Sequence, residues 1–135
     1  MVPTIKTADH PLRVEVDIVQ ARHLVRKWAE QLGFGIVDQT KIVTAASELA
    51  RNTIVYGRGG EMQLNALENG ARKGLELIFT DKGPGIADLK LALQDGYTTG
   101  SGLGLGLSGA KRLSNEFEIF SKVGEGTKII IRRWK

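Results

Sequence analysis

The stretch from Asp81 to Leu107, DKGPGIADLKLALQDGYTTGSGLGLGL, constrains this chain more than any other. It opens on an acid followed by a Gly-Pro-Gly turn and closes with glycine at every second position, Gly102, Gly104 and Gly106. An interior glycine costs a helix or strand roughly 0.5–1 kcal/mol, so a cluster needs a local reason. Close approach of backbone N–H groups to a phosphate is such a reason. A flexible surface loop is the plain reading of a lone Gly-x-Gly. Here two glycine clusters flank a Thr-rich connector, and the second runs straight into an apolar segment. That arrangement favours nucleotide binding.

The 135 residues fit one domain, long enough to bury a core without staples, and residues 1–135 are expected to form it. The chain has no cysteine, which excludes a disulfide framework and a thiolate metal site and suits a reducing cytosol. With only His10 and His23, a histidine metal cluster is excluded as well. The first residues, MVPTIKTADHPLRVEV, carry no apolar h-region. No apolar run approaches the roughly 20 residues of a membrane span. A soluble, cytoplasmic protein without membrane association is expected. The net charge of +4 and the basic end (Arg132, Arg133, Lys135) raise the question of nucleic acid. The basic residues are scattered, and the two Trp, two Tyr and four Phe are not interleaved with them. A solvated surface, or complementarity to an acidic protein, fits better than nucleic-acid binding.

Along the chain, Leu12, Val14 and Val16 alternate with polar residues and predict a strand. From Ile18 the period changes: Ile18, Ala21, Val25, Trp28 and Leu32 fall on one helical stripe, with Asp17 the candidate N-cap and Gly33 the candidate C-cap. A second helix is predicted from a cap at Asp38 to about Tyr56, ended by Gly57, with GRGG after it as a loop. Within it Glu48 and Asn52 stand four apart and share a face; taken alone they are a solvated polar face. Met62, Leu64 and Ala66 predict a strand that forms a hairpin with Leu75–Thr80, so Asp81 ends a strand and can project into a cleft. A short helix over Asp88–Gln94, a lid over residues 95–102, and a helix from about Gly104 that buries Leu107, Ala110 and Leu113 follow. Strands around Phe117–Ser121 and Thr127–Trp134 close the order β-α-α-β-β-α-α-β-β. That order predicts a two-layer α/β sandwich, a mixed sheet with helices covering one face.

Four features now stand in chain order: Glu48-x-x-x-Asn52, Asp81-x-Gly83-x-Gly85, Gly102-x-Gly104-x-Gly106 and Gly124-x-Gly126-Thr127. Together they resemble the four nucleotide-binding boxes of the GHKL (Bergerat-fold) ATPase and kinase superfamily. The resemblance spans about residues 40 to 130. A P-loop and the protein-kinase motif set are both absent. The resemblance implies ATP and Mg2+ as cofactors, with Asn52 the metal ligand and Glu48 the catalytic base. It implies that Asp81, Gly83 and Gly85 hold adenine with support from Thr127. The box Gly102, Leu103, Gly104, Leu105 and Gly106 would offer N–H groups to the phosphates, and Thr99, with Thr98, would line the lid or serve as a spacer. The chemistry agrees. A hard cation on phosphates accepts an amide oxygen and keeps several waters. A carboxylate one turn away can take a proton from an attacking hydroxyl. An ionised Asp accepts from the exocyclic amine of adenine and so selects ATP over GTP.

The segments ELARNTIVYG and DGYTTGSGLGLGLSGAKRLSNEFEIFSKVGEGTKIIIRRWK resemble, more narrowly, the RsbT-like branch of serine/threonine switch kinases. That branch implies phosphorylation of Ser or Thr on STAS-domain proteins of the RsbS/RsbR type, followed by activation of a PP2C-type, RsbU-like phosphatase. Two alternatives remain open: an anti-sigma factor kinase that binds a sigma factor directly, and an ATP-gated binding module without phosphotransfer. One departure concerns the positions three and four beyond Asn52, where many histidine kinases place a basic residue. Here they are Val55 and Tyr56, with Arg51 and Arg58 the nearby basic groups.

Overall fold

A computed structural model describes residues 3–93 and 107–135. The chain begins with β1 (Thr4–Leu12) and enters α1 (Glu15–Gln31) after a two-residue bend. The strand expected at Leu12–Val16 therefore ends where it was expected to begin. Of its three apolar residues only Leu12 is buried; Val14 and Val16 are 57% and 54% exposed. The reason is local. The carboxylate of Asp17 accepts from the backbone N–H groups of Arg13 and Val14 at 2.8 and 3.0 Å. These bonds satisfy amides ahead of the first turn and start the helix three residues earlier than an Asp17 cap would. Asp17 thus occupies the first turn rather than the cap, and the two amide bonds hold its carboxyl below the ordinary aspartate value.

The predicted stripe of α1 is the buried one: Ile18, Ala21, Val25, Trp28 and Ala29 lie inside. Gly33, at φ +87, reverses the chain in a conformation that L side chains rarely adopt. The second helix, α2 (Ile36–Val55), begins at a Gly35 cap and not at Asp38. Asp38 sits in the first turn, where Arg133 holds it at 2.7 Å. Then come β2 (Gly60–Asn69), β3 (Arg72–Asp81), α3 (Leu89–Ala92) capped by Asp88, α4 (Leu107–Arg112), β4 (Glu116–Lys122) and β5 (Gly126–Trp134).

The five strands form one sheet in the order β1-β2-β3-β5-β4. Every pairing is antiparallel, where a mixed sheet was expected. The two helices between β1 and β2 explain this. One runs out and the other runs back, so Gly60 begins β2 opposite Leu12, the residue that ended β1. Pro11 is tolerated because β1 is an edge strand. Alternate residues of the sheet, among them Leu64, Leu77, Phe79 and Ile131, pack beneath α1 and α2 in one continuous core. Truncating a fully buried member such as Leu77 to Ala is expected to cost about 2–5 kcal/mol.

On the opposite face of the sheet, the polar side chains around Glu76 satisfy one another. Arg132 Nε donates to Glu76 at 2.6 Å, Asn65 donates to the other oxygen of Glu76 at 2.8 Å, and Thr7 donates to Asn65 at 2.7 Å. The expected two-layer α/β sandwich is the observed architecture. Among the described residues, no helix is long and apolar enough to cross a membrane.

Candidate active site

The helical layer does not cover the sheet completely. Between the last turns of α2, the ends of β3 and β5, and the segment from Ile86 to α4 lies a cavity of about 240 Å³. Leu49, Phe79, Ile86, Leu107 and Ile129 give it apolar walls, and Asn52, Thr53, Tyr56, Asp81, Asp88 and Thr127 supply the polar groups. An apolar slot with a few convergent polar groups suits a flat heterocycle.

Asp81 reaches this slot because strand alternation puts it on the same face as Leu77 and Phe79, one step beyond the buried core. Its Oδ1 accepts from the Gly83 N–H at 2.9 Å. Burial pushes the carboxyl above the ordinary aspartate value of 3.8, while the Gly83 and Thr127 amides pull it partly back. Such an acid in a cleft is a functional-site candidate with a stated physical cause.

Glycine is required behind it. A Cβ on Gly83 would lie 2.7 Å from the Gly57 Cα, and a Cβ on Gly57 would run into the Asp81 carboxylate. Gly83, Gly57 and Asp81 therefore stack in direct contact. Gly85, at φ +76, lies against the Lys122 carbonyl. Its own carbonyl accepts from the Tyr56 hydroxyl at 3.0 Å, which ties the Gly-Pro-Gly turn to the end of α2.

Thr127 stands opposite Asp81 in the β3–β5 register, is 7% exposed, and shares a hydrogen bond with the Ser121 hydroxyl at 2.7 Å. Ser121 also accepts from the Ile86 N–H at 2.7 Å, closing the wall of the slot. Gly57, Tyr56 and Ser121 were not anticipated as site residues. The one sequence signal was the GRGG cluster directly after the Asn52 helix, which reads as a plain loop until Asp81 is placed against it.

Asn52 lines the same cavity from α2. Its amide nitrogen is buried and has no partner among the described residues. A buried amide without a protein partner is costly unless a ligand engages it. The two ends of an amide are interchangeable by rotation, so this group can present an oxygen to a hard cation. Asn52 therefore fits magnesium as a single protein ligand. Among the described residues no group of three or more His, Asp or Glu could hold a metal ion unaided, and a phosphate-bound ion does not need one.

Glu48 lies one turn before Asn52 on α2, half-buried, with no hydrogen bond or ion pair among the described residues. It is not part of the cavity wall. The structure thus brings Asn52, Asp81 and Thr127 together, sets Gly83 and Gly85 behind them, and leaves Glu48 beside them. Thr98, Thr99, Gly102, Leu103, Gly104, Leu105, Gly106 and the lid over residues 95–102 lie outside the described residues. Of the nearby basic groups, Arg51 makes, among the described residues, only a 3.7 Å contact with Glu15, exposed on both sides. Such a pair contributes little.

Comparisons with known proteins show the family of the chain. The chain is 47% identical over 123 residues to the serine/threonine-protein kinase RsbT of Bacillus subtilis (strain 168), covering 91% of this chain and 92% of that one. It is 31% identical to the anti-sigma F factor of Thermoanaerobacter sp. (strain X514), covering 84% and 82%. Two solved structures share the fold. The RsbU and RsbW domains of a Mycobacterium tuberculosis protein superpose with a TM-score of 0.60 at 18% identity, covering 95% of this chain and 32% of that one. The SiaB–SiaC complex of Pseudomonas aeruginosa gives 0.57 at 13%, covering 98% and 91%. The chain is a homologue of the kinase RsbT and carries an ATP-binding domain. Residues 37–135 match the family of histidine kinase-, DNA gyrase B-, and HSP90-like ATPases, and the chain belongs to that family.

Proposed function

We propose that the chain is an ATP-dependent protein serine/threonine kinase that phosphorylates a Ser or Thr of an RsbS/RsbR-like STAS-domain protein and then activates an RsbU-like, PP2C-type phosphatase. The observation that carries the reading is one slot walled by apolar side chains, into which Asp81 and the unpartnered Asn52 amide converge. The 47% identity to a protein serine/threonine kinase supports the reaction class.

In this reading Asp81 accepts from the adenine amino group, and the apolar walls hold the ring and exclude water. The Asn52 amide oxygen holds magnesium, which when bound offsets the negative charge of the phosphates. Glu48 takes the proton of the protein hydroxyl as its oxygen forms a bond to the γ-phosphorus and the bond to the β-bridging oxygen breaks, releasing ADP. Little covalent work falls to the protein, which positions the reactants and supplies charge.

A second reading, a kinase that binds a sigma factor directly, is favoured by the 31% identity to an anti-sigma F factor. A third, an ATP-gated module without transfer, predicts no label transfer by wild type, and a change at Glu48 separates chemistry from binding. Glu48→Ala is expected to bind ATP as wild type does and to lose transfer by about 10²–10⁴-fold. Unchanged transfer in that variant would remove Glu48 as the base.

A further inference from the structure

A second hollow, of about 380 Å³, opens on the polar face of the sheet, and Asp81 and Thr127 line it as well as the slot described above. Phe120 stands at its rim, 55% exposed, beside Lys128 in the β4–β5 register, and Lys128 stands beside Thr80 on β3. Lys82 and Lys122 line the same hollow. Among the described residues Lys82 and Lys128 have no ion pair, and Lys122 has only an exposed contact with Glu125 at 3.1 Å. Val123, 65% exposed, sits in the adjoining turn. A single exposed aromatic needs no explanation. An exposed Phe beside Lys128, with Lys82 and the exposed Lys122–Glu125 pair lining the same hollow, has the composition of a protein interface: an apolar anchor with a charged rim.

The geometry points to this hollow as the docking site for an acidic protein segment that carries an apolar side chain, on a partner other than the phosphoacceptor. The inference rests on the kinase reading above. A hydroxyl that receives phosphate must reach the α2 side, where Asn52 and Glu48 stand. Phe120 and Lys128 face away from α2, on the opposite surface of the sheet. The hollow is therefore free to hold a second protein while the phosphate end turns over. Because Asp81 and Thr127 form the wall between the two cavities, docking and nucleotide binding are coupled, each changing the affinity of the other by the same factor.

Two variants test this, Phe120→Ala and Lys128→Glu, both on exposed side chains. Each is assayed for binding to a PP2C-type phosphatase by calorimetry and for label transfer from γ-labelled ATP to a STAS-domain protein. The expected result is a phosphatase affinity at least tenfold weaker in both variants, with transfer unchanged. Wild-type binding should weaken as salt is raised and shift about fivefold or more when ATP is added. Wild-type affinity in both variants, no phosphatase binding by wild type, salt-insensitive binding, or parallel loss of transfer would each overturn the docking site. An ATP-independent affinity would overturn the coupling. Should wild type transfer no label at all, the kinase reading fails, while loss of phosphatase binding in the variants still reports on the hollow.

Discussion

The contact between Gly83 and Gly57 makes a sharp prediction, because a single methyl group tests the whole wall behind Asp81. In Gly83→Ala the new Cβ would lie 2.7 Å from the Gly57 Cα and 2.8 Å from its carbonyl oxygen. Ordinary carbon contacts are about 3.5–4.0 Å, so one backbone must move by roughly 1 Å. Gly57 cannot retreat freely. Its amide is bound to the Asn52 carbonyl at 2.9 Å, and the Asp81 carboxylate lies against its other side. Overpacking of this kind costs about 1–3 kcal/mol. At about 2.1 cal/mol/K of unfolding entropy per residue, that lowers the melting temperature by about 4–10 °C. Displacing Asp81 also weakens a charge-assisted hydrogen bond to adenine, about 1.5–3 kcal/mol, or roughly ten- to hundredfold in ATP affinity. Thermal melts with and without ATP read both effects. Gly109→Ala is the control: it lies in α4 with nothing among the described residues within 4 Å of a new Cβ, and should gain roughly 0.5–1 kcal/mol. A Gly83→Ala protein that melts and binds ATP like wild type would refute the reasoning.

Asp81→Asn should separate stability from binding. Burial raises the folded pKa of Asp81 above 3.8, so its contribution to stability is complete below 3.8 and is lost as pH rises through the folded value. The ionised carboxylate is therefore a liability at neutral pH in the free protein. The Asn variant should melt higher than wild type at pH 7 and show no such gain below pH 3.8, yet bind ATP far more weakly; melts across pH check it. On the polar face, Arg132 holds Glu76, Glu116 and Glu118. Arg132→Met leaves the 12%-exposed Glu76 side chain with the Asn65 amide but no cation and should cost about 1.5–3 kcal/mol in urea unfolding, with ATP affinity unchanged. Asn52→Ala should retain ATP binding without metal and lose the enhancement that magnesium gives, read by titrating ATP with and without the ion.

Much of this molecule is legible in its sequence where the signal is local. The stripe of α1, the turn at Gly33, the β2–β3 hairpin and the position of Asp81 all follow from residues close along the chain. The failure at Leu12–Val16 is also local: three alternating apolar residues imitate a strand, and only the Asp17 carboxylate bonding back to two amides shows that a helix begins there. Asp38 looked like a cap because its partner Arg133 lies 95 positions away. The wall of the slot was hidden for the same reason. Tyr56 meets Gly85 across 29 positions and Ser121 meets Ile86 across 35, and neither pair has a periodic signature. The antiparallel sheet was recoverable in principle, since two successive helices return the chain to the end it left.

The measurement closest to the central claim follows the γ-phosphate. The purified chain is incubated with γ-labelled ATP, magnesium and a STAS-domain protein, and the labelled residue is mapped. The account predicts label on a single Ser or Thr of the STAS protein, dependent on Glu48 and suppressed by Asp81→Asn. ATP binding without label on any STAS protein, with a sigma factor bound tightly instead, would contradict it.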